Sequence, residues 1–298
     1  MCDFFSGIIK KDGKVLTHYT DSHEDIKKIN KLDDSKGLED LGFYPFEMSV
    51  KKGKDITDKP TKDNWQFKLT VSQGHSDGFK PKWFTKKHEN NCWKEFAKQW
   101  NERVITGKVE EIIGKQGLIL KNCSINIINN STVNEMLDNS TVNEMLDNST
   151  VNKMLDNSTV NKMWENSTVN EMLDSSTVNK MWDSSTVNKM LGSSTVNEMW
   201  GNSTVNEMLD SSTVNEMLDS STVNKMLGSS TVNEMLDNST VNEMLDNSTV
   251  NKMLNNSTVK LIESIYAVVK LFSGKVVKLT KGTILDFSEK KVKITHKD

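Results

Sequence analysis

Four groups of residues in this chain have side chains and spacing that can carry chemistry. Cys2 becomes the N-terminal residue once Met1 is removed, and an N-terminal thiol can attack a carbonyl with its own α-amine as base. His88 and Cys92 stand four apart in a segment that reads as helix, which puts half a zinc site on one face, with His18, His23 or His75 to complete it. Lys82, Lys86 and Lys87, with Lys80, interleave with Trp83 and Phe84, a mixture that can hold a nucleic-acid backbone and stack on a base. Finally, acidic residues recur every nine positions, at Asp138, Asp147, Asp156, Glu165, Asp174, Asp183 and beyond. Stacked, such a row could bind Ca²⁺ or imitate the charge of DNA.

Each group also has a plainer reading. The hydrolases that use an N-terminal cysteine are larger than the roughly 106 residues available here and open on a different phrase. No Cys-x-x-Cys or His-x-x-x-His pair anchors the zinc reading. The lysine-aromatic segment suits a solvated loop that leads into an amphipathic helix. Calcium-binding nonapeptide rolls carry Gly-Gly-x-Gly-x-Asp, whereas this acidic row lacks those glycines, is broken by Gly192, Gly201 and Gly228, and ends at Asn255. Residues 130–259 hold 18 acidic and 6 basic side chains. Over a rod of about 34 Å that is one net charge per about 3 Å, against one per about 1.7 Å in duplex DNA. Nucleic acid is therefore not the favoured partner, mimicry of DNA is not the favoured role, and no cofactor is expected.

The element that positions most of these residues is a single phrase. From Asn130 to Val259 the chain repeats Asn/Ser-Ser-Thr-Val-Asn-Glu/Lys-Met-Leu/Trp-Asp/Gly without a slip. A helix fits less well: nine residues make about two and a half turns, so successive Val/Met pairs would fall on opposite sides. The β-branched Thr-Val and the turn-forming Asp-Asn-Ser or Gly-Ser-Ser predict short strands and bends in a parallel β-solenoid, stabilised by contact between neighbouring units. Two repeats per eighteen-residue coil are predicted by two columns. Trp replaces Leu at Trp164, Trp182 and Trp200, eighteen apart, and every second Glu/Lys alternates in sign from Glu135 to Glu243. Val and Met are expected to point inward, in about seven coils.

The fold class expected is mainly β, with four regions. Residues 1–106 read as a small α+β domain. Strands Phe4 to Ile9 and Val15 to Tyr19 join through Lys11-Asp12-Gly13-Lys14, and a helix capped by Ser22 buries an edge of Ile26, Ile29 and Leu32. Strands Phe43 to Val50 and Trp65 to Val71 follow. A helix from His88 to Val104 then places Cys92, Trp93, Phe96, Ala97 and Trp100 on one face. Residues 107–129 read as an entry cap of degenerate coils, 130–259 as the nonapeptide solenoid, and 260–298 as degenerate coils and a β cap in which Val268 and Val277 keep the phase.

The opening Met1-Cys2-Asp3-Phe4-Phe5-Ser6, the segment Asp21-Ser22-His23-Glu24 and the repeat phrase together resemble a group of bacterial and phage proteins with Met-Cys-x-Phe-x-Ser domains and Ser-Thr-Val-x-x-Met nonapeptides. The solenoid also looks like a relative of pentapeptide-repeat rods. The resemblance implies no particular activity. Three cysteines do not make a disulfide framework, the start is too short and polar for a signal peptide, and no apolar run spans a membrane. The sequon-like Asn-Ser-Thr phrases argue against a eukaryotic secretory route. The expectation is a bacterial or phage-infected cytoplasm and a non-enzymatic interaction protein with a protein partner. An N-terminal Cys2 hydrolase or amidase is the alternative, followed by the DNA mimic or the Ca²⁺ roll.

Overall fold

The computed structural model describes residues 5–32, 42–70, 80–254, 256–263, 267–271, 276–278, 283–286 and 293–296. It divides into two compact units, Met1–Val104 and Ile105–Asp298, each with its own core.

The first unit is built on a four-stranded antiparallel sheet. Strands β1 (Phe5–Lys10), β2 (Val15–Thr17), β3 (Phe43–Val50) and β4 (Trp65–Leu69) lie in the order β2-β1-β3-β4. The β1–β2 hairpin turns through Gly13, whose φ of 88° lies in the left-handed region that glycine enters without a Cβ penalty. Gly7 in β1 has a different purpose: a Cβ there would meet the Phe46 ring at 2.5 Å, so glycine lets that ring lie across the strand. Helix α1 (His23–Ile29) begins at Ser22, whose hydroxyl accepts from the backbone N–H of Asp25, as expected. Of its anticipated apolar edge, Ile26 is fully buried, but Ile29 faces solvent at 58% exposure. Seven residues make only two turns, too few for one stripe to keep three residues on the sheet.

Helix α2 (Lys86–Arg103) lays Cys92 and Phe96 into the sheet, with Trp93 and Trp100 beside them. Phe96 meets Phe5 at 5.2 Å and Trp65 edge-on at 4.7 Å. At its end, Arg103 holds the buried Asp21 carboxylate with two hydrogen bonds, of 2.9 and 2.6 Å.

The second unit is a parallel β-solenoid of about nine turns with eighteen-residue coils. It begins with β5 (Val104–Ile113) and β6 (Leu118–Asn129). The long β6 contributes to both faces of the stack, since its first part pairs with β7 (Thr132–Leu137) and its last with β8 (Thr141–Leu146). Thereafter a five-residue Thr-Val-Asn-Glu/Lys-Met strand recurs every nine residues, from Thr150–Met154 to Thr249–Met253. Each pairs in parallel with the strand eighteen residues away, so that Val160 lies on Val178 and Met163 on Met181.

Val and Met are both fully buried along the whole array. They are three apart, and side chains in a regular strand alternate in direction; both can point inward only because the chain bends between them, at the Asn that drops out of the paired register. Those Asn form ladders of their own, each Nδ2 donating to the Oδ1 one coil below, for example Asn179 to Asn161 at 2.7 Å. A third column also points inward: the Ser at repeat position two is buried in every coil from Ser131 to Ser257. Ser140 and Ser149 donate from Oγ to the carbonyl three residues back, at 2.7 Å.

Past Val259 the phase shifts. Val250 pairs with Val269, nineteen residues on, so Val269 and not Val268 continues the buried column. The side chain of Val277 lies outside the described residues. The four final strands (Val268–Leu271, Val276–Lys278, Thr283–Asp286 and Lys293–His296) bring antiparallel pairing to a parallel stack. One of them, Thr283–Asp286, pairs antiparallel with the repeat strand Thr258–Ile262.

Candidate interaction surface

In the first unit the fold takes up two of the candidate chemical groups, Cys92 and His88. Cys2 lies outside the described residues, as does His75. Cys92 is fully buried, and burial pushes its thiol far above the usual range. His88 caps α2: its Nδ1 accepts from the Thr85 backbone N–H at 3.0 Å, and its Nε2 lies 3.1 Å from the Lys11 carbonyl. Both ring nitrogens are thus spent fastening the helix start to the β1–β2 hairpin. His18 meets Thr20, and His23 meets the Phe46 carbonyl. Among the described residues no three His, Cys, Asp or Glu are grouped to hold a metal. Trp83 packs edge-on to His88 and against Phe84, Lys80 lies over the Phe84 ring, and Lys86 pairs with Glu89. That leaves Lys82 and Lys87 exposed beside an aromatic group turned into the domain.

The acidic row proves to be a row of left-handed turns. Asp138, Asp156 and Asp174 have φ of 55°, 56° and 55°, and Gly192 continues the column at 65°. Asp, Asn and Gly are the residues that enter this region at least cost, which is why glycine alternates with aspartate there. At some of these positions the carboxylate also bonds to the coil below. Asp156 Oδ2 accepts from the Asp138 N–H at 3.2 Å, and Asp246 Oδ2 from the Gly228 N–H at 3.0 Å. Asp138 itself receives Asn122 and pairs with Lys121. Where Glu165 takes the position, the hydrogen bond and charge of Asp147 push its carboxyl above the usual range.

Where a backbone N–H holds the carboxylate, as at Asp156, Asp210 and Asp246, the repulsion left along the row calls for screening. The melting temperature should therefore rise modestly with NaCl and rise equally with CaCl₂ at matched ionic strength. A steep rise specific to millimolar Ca²⁺ would overturn this account of the row.

The rest of the outer surface consists of two strand faces, one from each repeat of the coil, and they differ in charge. The first carries Glu135, Lys153, Glu171, Lys189, Glu207, Lys225 and Glu243 in strict alternation, each stacked on its opposite. The second reads Glu144, Lys162, Lys180, Glu198, Glu216, Glu234, Lys252, with like charges stacked at Lys162 on Lys180, Glu198 on Glu216 and Glu216 on Glu234. Ion pairs form at its sign changes: Lys162–Glu144 at 3.0 Å, Lys180–Glu198 at 2.9 Å and Lys252–Glu234 at 3.1 Å.

All three repeat tryptophans border this second face. Trp164, Trp182 and Trp200 stack with ring centroids 5.4 and 5.1 Å apart and planes within 13°. They sit in a half-buried seam continued by Leu146, Leu218 and Leu236. Trp200 Nε1 donates to Glu198 Oε2 at 3.0 Å. Partial burial pushes the Glu198 carboxyl up, but the hydrogen bonds from Lys180 and Trp200 and the Lys180 charge outweigh it and hold the group below its usual range.

Among the described residues no helix is long and apolar enough to cross a membrane. In comparisons with known proteins, no family model, no curated protein and no solved structure matches this chain, which is described by its architecture: a repeat protein of the parallel β-solenoid class with a small antiparallel-sheet unit before it.

Proposed function

We propose that this is a non-enzymatic interaction protein, in which a rigid rod presents the N-terminal unit and offers its own outer faces to a protein partner. The supporting observation is that inside and outside vary independently. The inward Ser, Val and Met scarcely change over more than a dozen repeats, while the outward Glu/Lys and Leu/Trp positions carry two different patterns on two faces of one scaffold. A core alone requires no such difference between faces. The resemblance of the opening and of the repeats favours a bacterial or phage setting, and the cysteine usage favours a cytoplasmic one.

The test is cross-linking mass spectrometry with the full chain as bait in lysate of its own host. The expected result is a protein joined to lysines of one unit, either 1–104 or 105–298. Recovery of no partner, together with amide hydrolysis that Cys2→Ser abolishes, would replace this reading with the N-terminal-nucleophile hydrolase. An intact mass that retains Met1 would remove that nucleophile.

A further inference from the structure

The sign pattern of the second face has a property that the first lacks. Read from Glu144 to Lys252 it is −, +, +, −, −, −, +, and read backwards it is nearly its own opposite. Reversing the column about Glu198 sets Glu144 against Lys252, Lys162 against Glu234, and Lys180 against Glu216. Only Glu198 meets its like. The alternating first face, reversed about Lys189, sets like against like at every coil. We infer that a second copy of this chain docks on the Glu144–Lys252 face, forming an antiparallel two-fold dimer centred on Glu198 and Trp200.

The symmetry operation is compatible with the fold. A two-fold axis lying in the interface and parallel to the strands reverses the order of the coils but not the strand direction. Column therefore lies on column, and seam beside seam, in the self-complementary manner of isologous dimers. The same rotation puts Trp164 at the level of the partner's Leu236, Trp182 at that of the partner's Leu218, and the two Trp200 together. The like pair at the centre is tempered within each molecule, since each Glu198 is already held by Lys180 and Trp200.

The size also suffices. Seven coils by five residues make a face of about 34 Å by about 17 Å, so on the order of 1,100 Å² would be buried over both partners, just above the roughly 1,000 Å² expected of a specific interface. Sliding the first face by one coil would also match its charges, but that leaves a coil unpaired and brings no tryptophan to the contact.

The inference rests on the reading of the rod as a binding surface, and the two can fail separately. Sedimentation equilibrium of the full chain should show a dimer whose Kd rises at least tenfold between about 50 and about 500 mM NaCl. Glu216→Lys is the decisive variant. Within one molecule the introduced ammonium would stand between Glu198 and Glu234, so the fold should melt no lower than the parent. Across the dimer it would oppose the partner's Lys180 twice, by symmetry, and Kd should rise at least tenfold again. Adding Lys180→Glu should restore the dimer.

In a Cys2→Ser background, a short bis-maleimide should join Glu198→Cys into a covalent dimer, because face-to-face sheets lie about 10 Å apart, and should not join Lys189→Cys. A chain that stays monomeric to about 100 µM, an unchanged Kd for Glu216→Lys, or cross-linking through Lys189→Cys in place of Glu198→Cys would each overturn the dimer. A different protein captured from lysate by a monomeric chain would leave the interaction reading intact while refuting self-association.

Discussion

Met199→Asp will open the middle of the rod. Met199 is fully buried between Met181 below and Met217 above, so the change removes a core side chain and puts a carboxyl group in its place. Loss of a buried methionine costs about 2–5 kcal/mol. Burial of an unpartnered polar group adds about 1–3 kcal/mol even if the acid takes up a proton to avoid the larger cost of a charge. In a stack whose units contact only their neighbours, damage spreads by coil rather than collapsing the whole. Hydrogen exchange should lose protection in the strands around 181, 199 and 217 first, while β6 and β7 stay closed. Met199→Leu, similar in volume, should cost less than about 1.5 kcal/mol. If the Asp variant melts with the parent, the methionine column does not point inward.

The second large effect belongs to the other unit. Arg103→Met should destabilise it by about 3–5 kcal/mol, the cost of leaving a buried carboxylate without its counter-ion. Asp21 is 11% exposed and Arg103 5%. Burial already pushes the Asp21 carboxyl up, and the opposing influences that matter most are the hydrogen bonds and charge of Arg103. With the arginine gone, burial acts nearly unopposed and the folded pKa climbs further above the unfolded one. A group raised in this way favours the folded state when protonated, so the deficit should be full above the folded pKa and shrink as pH falls through it. Denaturant melts of the variant and parent between neutral pH and the carboxylate range would show this. A deficit independent of pH would mean that the loss is one of packing alone.

The sequence made the rod more legible than anything attached to it. A fixed period gives many independent readings of one structural position, so the Val and Met columns, the eighteen-residue coil and the Trp164–Trp182–Trp200 seam could all be inferred from spacing. The buried Ser column was missed because serine is expected outside. The available signal was its invariance at position two, while position one changed freely between Asn and Ser. The acidic row was visible, but its cause was not. Asp and Gly share position nine because the backbone turns left-handed there, a constraint that sequence pattern expresses only as tolerance. His88 and Cys92 illustrate the remaining limit. Helical spacing correctly put them on one helix, yet whether a histidine is free depends on partners such as Lys11, 77 residues away in the chain.

The phrase that repeats is nine residues long, but the coil that repeats is eighteen. Adding or losing one phrase therefore turns everything beyond it by half a revolution and exchanges the two faces. Adding or losing two moves it along by one storey, about 4.8 Å, and every residue keeps its aspect. The smallest duplication such a gene can make in frame with its own repeat is thus half the smallest that the architecture can absorb unchanged. Tryptophan recurring along one seam and never along the other is the trace that growth by whole coils would leave.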